Sequence, residues 1–106
     1  MNSLNSVLIE GNLPHDPEFN PEKKLCTFSV DSQRYYIENG DKKKETMRIG
    51  IEVPGKTAEL CMKTLTKGRG VRVVGRLKES GEKLVIWSDM VEFKAKFDRK
   101  ASDLDE

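Results

Sequence analysis

Histidine, cysteine and aromatic side chains are scarce in this 106-residue chain: one His, two Cys, one Trp, two Tyr and four Phe. Each scarcity removes a class of function. With only His15 and no closely spaced cysteine pair, the sequence offers no metal-ligand set. His15 also lacks the Ser, Cys or carboxylate partners that would make it a catalytic base, and it reads as an exposed turn residue. No GxxxxGK[ST] loop is present, and "GKTAE" at 55–59 lacks the spacing of a phosphate-binding loop. No enzyme activity, metal or cofactor is expected. Long apolar runs are missing too. Nothing approaches the roughly 20 residues needed to cross a bilayer, and "MNSLNSVLIEGNL" has no basic segment leading into an apolar one. A reducing cytoplasm with Cys26 and Cys61 as buried thiols is the expected setting.

An excess of charge of one sign is also lacking. The net charge is +1, so no global field announces a nucleic-acid partner, and any such case must rest on local clusters. Residues 98–106, "DRKASDLDE", carry −2, which leaves +3 on residues 1–97. The reading is one domain over 1–97 and a short, acidic, disordered tail over 98–106. No repeat or low-complexity segment interrupts the chain.

What is present is alternation. "SVLIEGNL" mixes β-branched and apolar residues and stops at the prolines of "PHDP". "KLCTFSVDSQRYY" alternates Cys26, Phe28 and Val30 against Thr27, Ser29 and Asp31, the period-2 pattern of a half-buried strand. "NGD" reads as a hairpin turn. "TMRIGIEV" alternates again, with Met47, Ile49, Ile51 and Val53 inward. The period then changes. Ala58, Cys61, Met62 and Leu65 recur at helical spacing, with Pro54 as an entry turn and Gly68 as a stop. "VRVVGRL" and "KLVIWSDMVEF" return to strands on either side of "ESGEK". Strand, strand, strand, helix, strand, strand predicts an all-β fold with a small helical component. Specifically, it points to a five-stranded, antiparallel Greek-key barrel of the OB type with one helix between strands three and four, with an SH3-like barrel or another α+β sheet as the competing layouts.

Particular residues add to this pattern. "VLIEGNLPHDPE", "CTFSV", "GKTAELCMKTLTKG", "VRVVGRL" and "SDMVEF" occur in the order of the strands and helix of bacterial single-stranded DNA-binding proteins. Residues 4–93 resemble that family. The resemblance implies sequence-tolerant binding of single-stranded DNA in replication, recombination and repair, by a homo-oligomer, dimer or tetramer, in the cytoplasm at the nucleoid. It implies no membrane and no small-molecule substrate. Bases would stack on aromatic rings while Lys and Arg follow the phosphates. An OB-fold protein–protein accessory module, primosome-like and weak in nucleic-acid binding, is the alternative.

The candidate binding residues are Arg34, Tyr35, Tyr36, Lys42, Lys43, Lys44, Arg48, Arg72, Arg76 and Trp87. Tyr35 and Tyr36 end the second strand, where the resembled family places a stacking aromatic. Neighbours on a strand point to opposite faces, and parity with Phe28 and Val30 puts Tyr35 outward. Alignment to the family favours Tyr36. The three lysines and Arg34 adjoin this pair in the hairpin. Arg48 and Pro54 stand where family members commonly carry aromatics. Arg48 offers a guanidinium instead, whereas Pro54 offers no platform. Trp87 reads first as a core or subunit contact and second as a base platform. Asp16 and Glu18 are expected to hydrogen-bond their own turn. The tail lacks the Pro-Phe tip through which longer family members recruit replication and repair enzymes; either the chain does not recruit by that route or its sequence is trimmed short of the tip.

Overall fold

A computed structural model describes residues 2–94. The reading of residues 98–106 as a disordered tail lies outside the described residues. The elements are β1 (Val7–Asn12), β2 (Glu18–Asn20), β3 (Leu25–Glu38), β4 (Asp41–Pro54), α1 (Gly55–Thr64), β5 (Gly70–Ser80) and β6 (Lys83–Phe93). Five strands run in the order β1-β5-β6-β4-β3, and a β1–β3 contact at Asn12 and Asp31 closes them into a barrel. This is the expected OB-type barrel, with its helix between β4 and β5.

Two features depart from expectation. β4 and β6 are parallel, pairing Gly50 with Val85, Ile51 with Ile86 and Glu52 with Trp87. The crossover through α1 and β5 brings the chain back beside β4 in the same direction, a relation that strand periodicity does not encode. The second is β2, a three-residue edge strand on β3 that was not foreseen. All three of its residues are exposed, so it has no alternation to read.

The core is the set that alternation selects. Cys26, Phe28 and Val30 of β3 meet Ile51 and Val53 of β4, Ile9 of β1, Val71 and Val73 of β5, and Ile86 of β6. Ala58, Cys61 and Leu65 join this cluster from the α1 segment. Met62, expected inward, is 36% exposed. It follows Cys61 by one residue, about 100° round the helix, and its sulfur accepts a contact from the Cys26 thiol at 3.6 Å. The hydrogen bond with Cys26, and then burial, push the Cys61 thiol up. Pro54 ends β4 with extended backbone and serves as the helix N-cap, so its reading as an entry turn holds.

A bulge lies between Val74 and Gly75, where Val74 pairs with Met90 but Gly75 pairs with Ser88. Asp89 is the extra residue. It reverses the parity of β6: Ile86 and Ser88 point inward before it, Val91 and Phe93 after it. The turn after β1 is tied across the chain. Asp16 Oδ1 accepts from the Lys67 backbone N–H at 2.8 Å, not from its own turn as expected. Leu13 N–H donates to the Arg69 carbonyl, and Gly68 N–H donates to the Leu13 carbonyl.

Barrel closure depends on missing side chains. A Cβ on Gly11 would lie 2.1 Å from the Asp31 carbonyl oxygen, and one on Gly75 would lie 2.1 Å from the Trp87 carbonyl oxygen. Both obstacles are backbone and cannot rotate away. At Gly50 the nearest atom is a Val85 methyl at 3.4 Å, an ordinary contact. Gly11→Ala is therefore expected to cost about 1–3 kcal/mol in urea unfolding. Gly50→Ala is expected to stay within about 0.5 kcal/mol of wild type. Equal midpoints for the two variants would contradict this account of closure.

Candidate nucleic-acid interface

β3 and β4 pair without interruption from Leu25 opposite Pro54 to Glu38 opposite Asp41. Inward burial in this pair ends at Val30 and at Ile49, which is half-buried. Beyond those rungs the ladder continues as a two-stranded ribbon. Asn39 and Gly40, with φ of +52° and +82°, form the two-residue turn that matches strand twist. The turn at "NGD" is as expected, and the lysine run follows it within the hairpin. Lys42, Lys43 and Lys44 lie on β4.

The unbroken register fixes which side chains share a face. Tyr35 sits opposite Lys44, Ile37 opposite Lys42, Gln33 opposite Thr46 and Asp31 opposite Arg48, all on the outer face. Tyr35 is 72% exposed, and its hydroxyl donates to Gln33 Oε1 at 3.1 Å. Ile37, equally exposed, adds an apolar surface that sequence reading passed over. The other face carries Tyr36 opposite Lys43 and Arg34 opposite Glu45. There the Arg34 guanidinium lies 4.6 Å from the centroid of the half-buried Tyr36 ring. The two tyrosines and three lysines thus divide between two surfaces.

The outer face continues onto the barrel through Gly50 and Glu52 of β4 and Val85 and Trp87 of β6. Trp87 is half-buried on this surface and is not in the core cluster. Lys78 Nζ lies 4.4 Å and Arg76 Cζ 5.9 Å from the centroid of its ring. Lys78 also donates to Glu52 Oε1 at 3.0 Å. Neither Lys78 nor Glu52 was foreseen, because the parallel β4–β6 pairing that brings them together has no sequence signal. A groove of about 280 Å³ beside them is lined by His15, Asp16, Glu18, Ser29, Gly50 and Glu52. A second, of about 520 Å³, runs along the β1–β3 seam past Glu10, Asn12, Asp31, Gln33 and Tyr35.

Most of the arginines foreseen as phosphate contacts already hold carboxylates. Arg48 donates from Nε and Nη2 to the two oxygens of Asp31 at 2.7 and 3.1 Å. The hydrogen bond from Arg48 holds the Asp31 carboxyl below its ordinary range, and Asp31 in turn raises Arg48. Arg34 pairs with Glu45 at 3.5 Å. Arg72 sits between Glu10 at 2.8 Å and Glu92 at 3.9 Å, with Lys94 also 3.0 Å from Glu10. Lys94 and Arg72 lower the Glu10 carboxyl. Among the described residues, Lys42, Lys43, Lys44 and Arg76 have no acidic partner.

Residues 4–97 match the profile of the Single-strand binding protein family. The chain belongs to that family. A curated single-stranded DNA-binding protein of Fusobacterium nucleatum is 33% identical, over 85% of this chain and 66% of that protein. The chain thus spans just under two thirds of that relative's length. Two solved structures share the fold. The Plasmodium falciparum SSB in complex with ssDNA matches with a TM-score of 0.74 at 23% identity, covering 90% of this chain and 98% of that one. A small single-stranded DNA-binding protein from Streptomyces coelicolor matches with a TM-score of 0.73 at 20% identity, covering 89% and 96%. Among the described residues of this family member, no helix is long and apolar enough to cross a membrane.

The Asp31–Arg48 pair gives a pH signature. A carboxyl depressed in the folded state stabilises it above the unfolded value, and that stability disappears as pH falls through the folded value. Wild type is expected to lose stability more steeply than Asp31→Asn below about pH 4. Urea midpoints at about pH 3 and pH 7 measure the difference.

Proposed function

We propose that this chain binds single-stranded DNA, with little regard to sequence, along the outer face of the β3–β4 ribbon and onto Trp87. The observation that carries this reading is the single register that puts Tyr35, Ile37, Lys42, Lys44 and Arg48 on one surface. Tyr35 offers an open ring for stacking, and Lys42 and Lys44 stand within two rungs of it. Trp87, with Arg76 beside it, supplies a second platform on the same side of the sheet. Tyr36, Arg34 and Lys43 serve the reverse side of the ribbon, where a wrapped strand passes. Arg72, on the strand beside Trp87 but displaced along it to the rung of Glu92 and held by two glutamates, contributes to phosphate binding only at a distance. The role follows the family: support of replication, recombination and repair at the nucleoid.

Labelled oligo-dT titrated at low and high salt tests this. Tyr35→Ala is expected to cost about 1–3 kcal/mol of binding, and Tyr36→Ala less. Lys42→Ala and Lys44→Ala are each expected to flatten the slope of log K against log salt by about 0.7. Absence of binding at micromolar protein in low salt would remove the reading. It would favour a protein–protein module instead, for which the carboxylates of Asp16, Glu18 and Glu52 in the groove at the barrel face are the supporting observation.

We also infer self-association, as a dimer or tetramer. Leu8, Val74 and Met90 stand side by side across β1, β5 and β6, with Leu8 66% and Met90 50% exposed. The next row, Glu10, Arg72 and Glu92, carries both signs, so the same patch on a second copy can meet it in complementary fashion. Met90→Glu is expected to lower the mass seen by light scattering. A monomeric wild type would count against this surface.

A further inference from the structure

The DNA-facing surface carries two carboxylates in positions that a phosphate backbone would contest. Asp31 stands directly opposite Arg48 on the outer face and takes its guanidinium through two hydrogen bonds, the fork geometry that a phosphate accepts. The Arg48 side chain is 55% exposed and that of Asp31 22%, so the pair sits at the surface where a strand would lie. Glu52, two rungs beyond Gly50 on the same strand face, holds Lys78 at 3.0 Å. It thereby keeps the ammonium 4.4 Å from the Trp87 ring centroid, in the space a stacked base would take. The cations of both pairs are open to solvent, Arg48 at 55% and Lys78 at 41% side-chain exposure, while Asp31 and Glu52 lie deeper at 22% and 15%, so each cation can leave its acid for another anion without uncovering the core. Lys42 and Lys44, on the same face, have no such partner among the described residues.

Building on the single-stranded DNA reading above, we propose that Asp31 and Glu52 act as internal stand-ins for phosphate, so that DNA engages Arg48 and the Trp87 platform only by displacing them. The lysines of the ribbon take the backbone first. Arg48 then exchanges a carboxylate for a phosphate, and Lys78 swings off the indole as it does the same. Each exchange leaves a carboxylate without its cation beside the bound strand. That carboxylate recaptures a cation from solution, which offsets the counterion released by the phosphate and flattens the salt dependence.

Anisotropy of labelled oligo-dT at several salt concentrations tests this with Asp31→Asn, Glu52→Gln and the double variant. Glu59→Gln on α1 is the control for net charge. Asp31→Asn and Glu52→Gln are each expected to bind about two- to fivefold tighter than wild type. Their salt slopes should steepen by about 0.7, while Glu59→Gln stays within about 1.5-fold. The sole tryptophan gives an independent readout: quenching of Trp87 on binding should be larger in Glu52→Gln. If wild type binds but neither variant tightens or steepens, the displacement idea is overturned and the binding reading stands. If wild type and all variants fail to bind in low salt, both fall. Should one variant fold poorly by thermal melting, the other carries the same test at an independent pair.

Discussion

The register of β3 against β4 is the constraint from which the rest of the molecule follows. Pairing from Leu25–Pro54 to Glu38–Asp41 is continuous, so one choice of alignment decides the direction of every side chain on both strands. In the barrel half it delivers Cys26, Phe28, Val30, Ile51 and Val53 to the core. In the ribbon half the same alignment, with no core left to bury, sorts Tyr35 from Tyr36 and Lys44 from Lys43. A slip of one residue would turn the core outward, so the hydrophobic half anchors the arrangement of the polar half.

Closure of the barrel is the second requirement, and it is met by subtraction. β1 reaches both β5 and β3, and Gly11 lets its backbone pass within contact of Asp31. Gly75 performs the same service where β5 passes the Trp87 carbonyl, next to the bulge at Asp89. The bulge reverses parity in β6, so Ile86 and Val91 both reach the interior while Trp87 stays on the surface beside Arg76 and Lys78. The position of the indole is therefore a consequence of the backbone geometry around it.

The fold was largely readable because alternation, a single helical stretch and their order narrow the choice to a few small β folds, and the motifs shared with the family select the Greek-key barrel among them. Cys26, Phe28, Val30 and Ile51 point inward as their period predicts, and Ala58, Cys61 and Leu65 do so from the helical segment. The failures have physical causes. The third strand was read from Thr46 and not from Asp41 because a strand wet on both faces has no hydrophobic period, and Asp41–Thr46 is such a strand. Met47 shares the inward parity but stands beyond the core, and is exposed. β2 is too short and too polar to be seen. The candidate site was legible only in part: residue types together with the family resemblance singled out Tyr35, the lysines and Arg48, and parity placed Tyr35 outward. The acids that hold Arg48 and Lys78 were invisible, because which residue sits across a ladder or a parallel crossover depends on topology, not on local composition.

The ribbon beyond Ile49 is held by its own hydrogen-bond ladder and a two-residue turn, with no buried cluster to share its fate. Opening it exposes little apolar surface, so its free energy of opening is uncoupled from that of the barrel. Amide exchange should divide the chain in two, slow in the rungs at Phe28 and Ile51 and fast at Tyr36 and Lys43. A ligand laid along that arm would then be felt as order gained at its tip, with the barrel left unchanged beneath it.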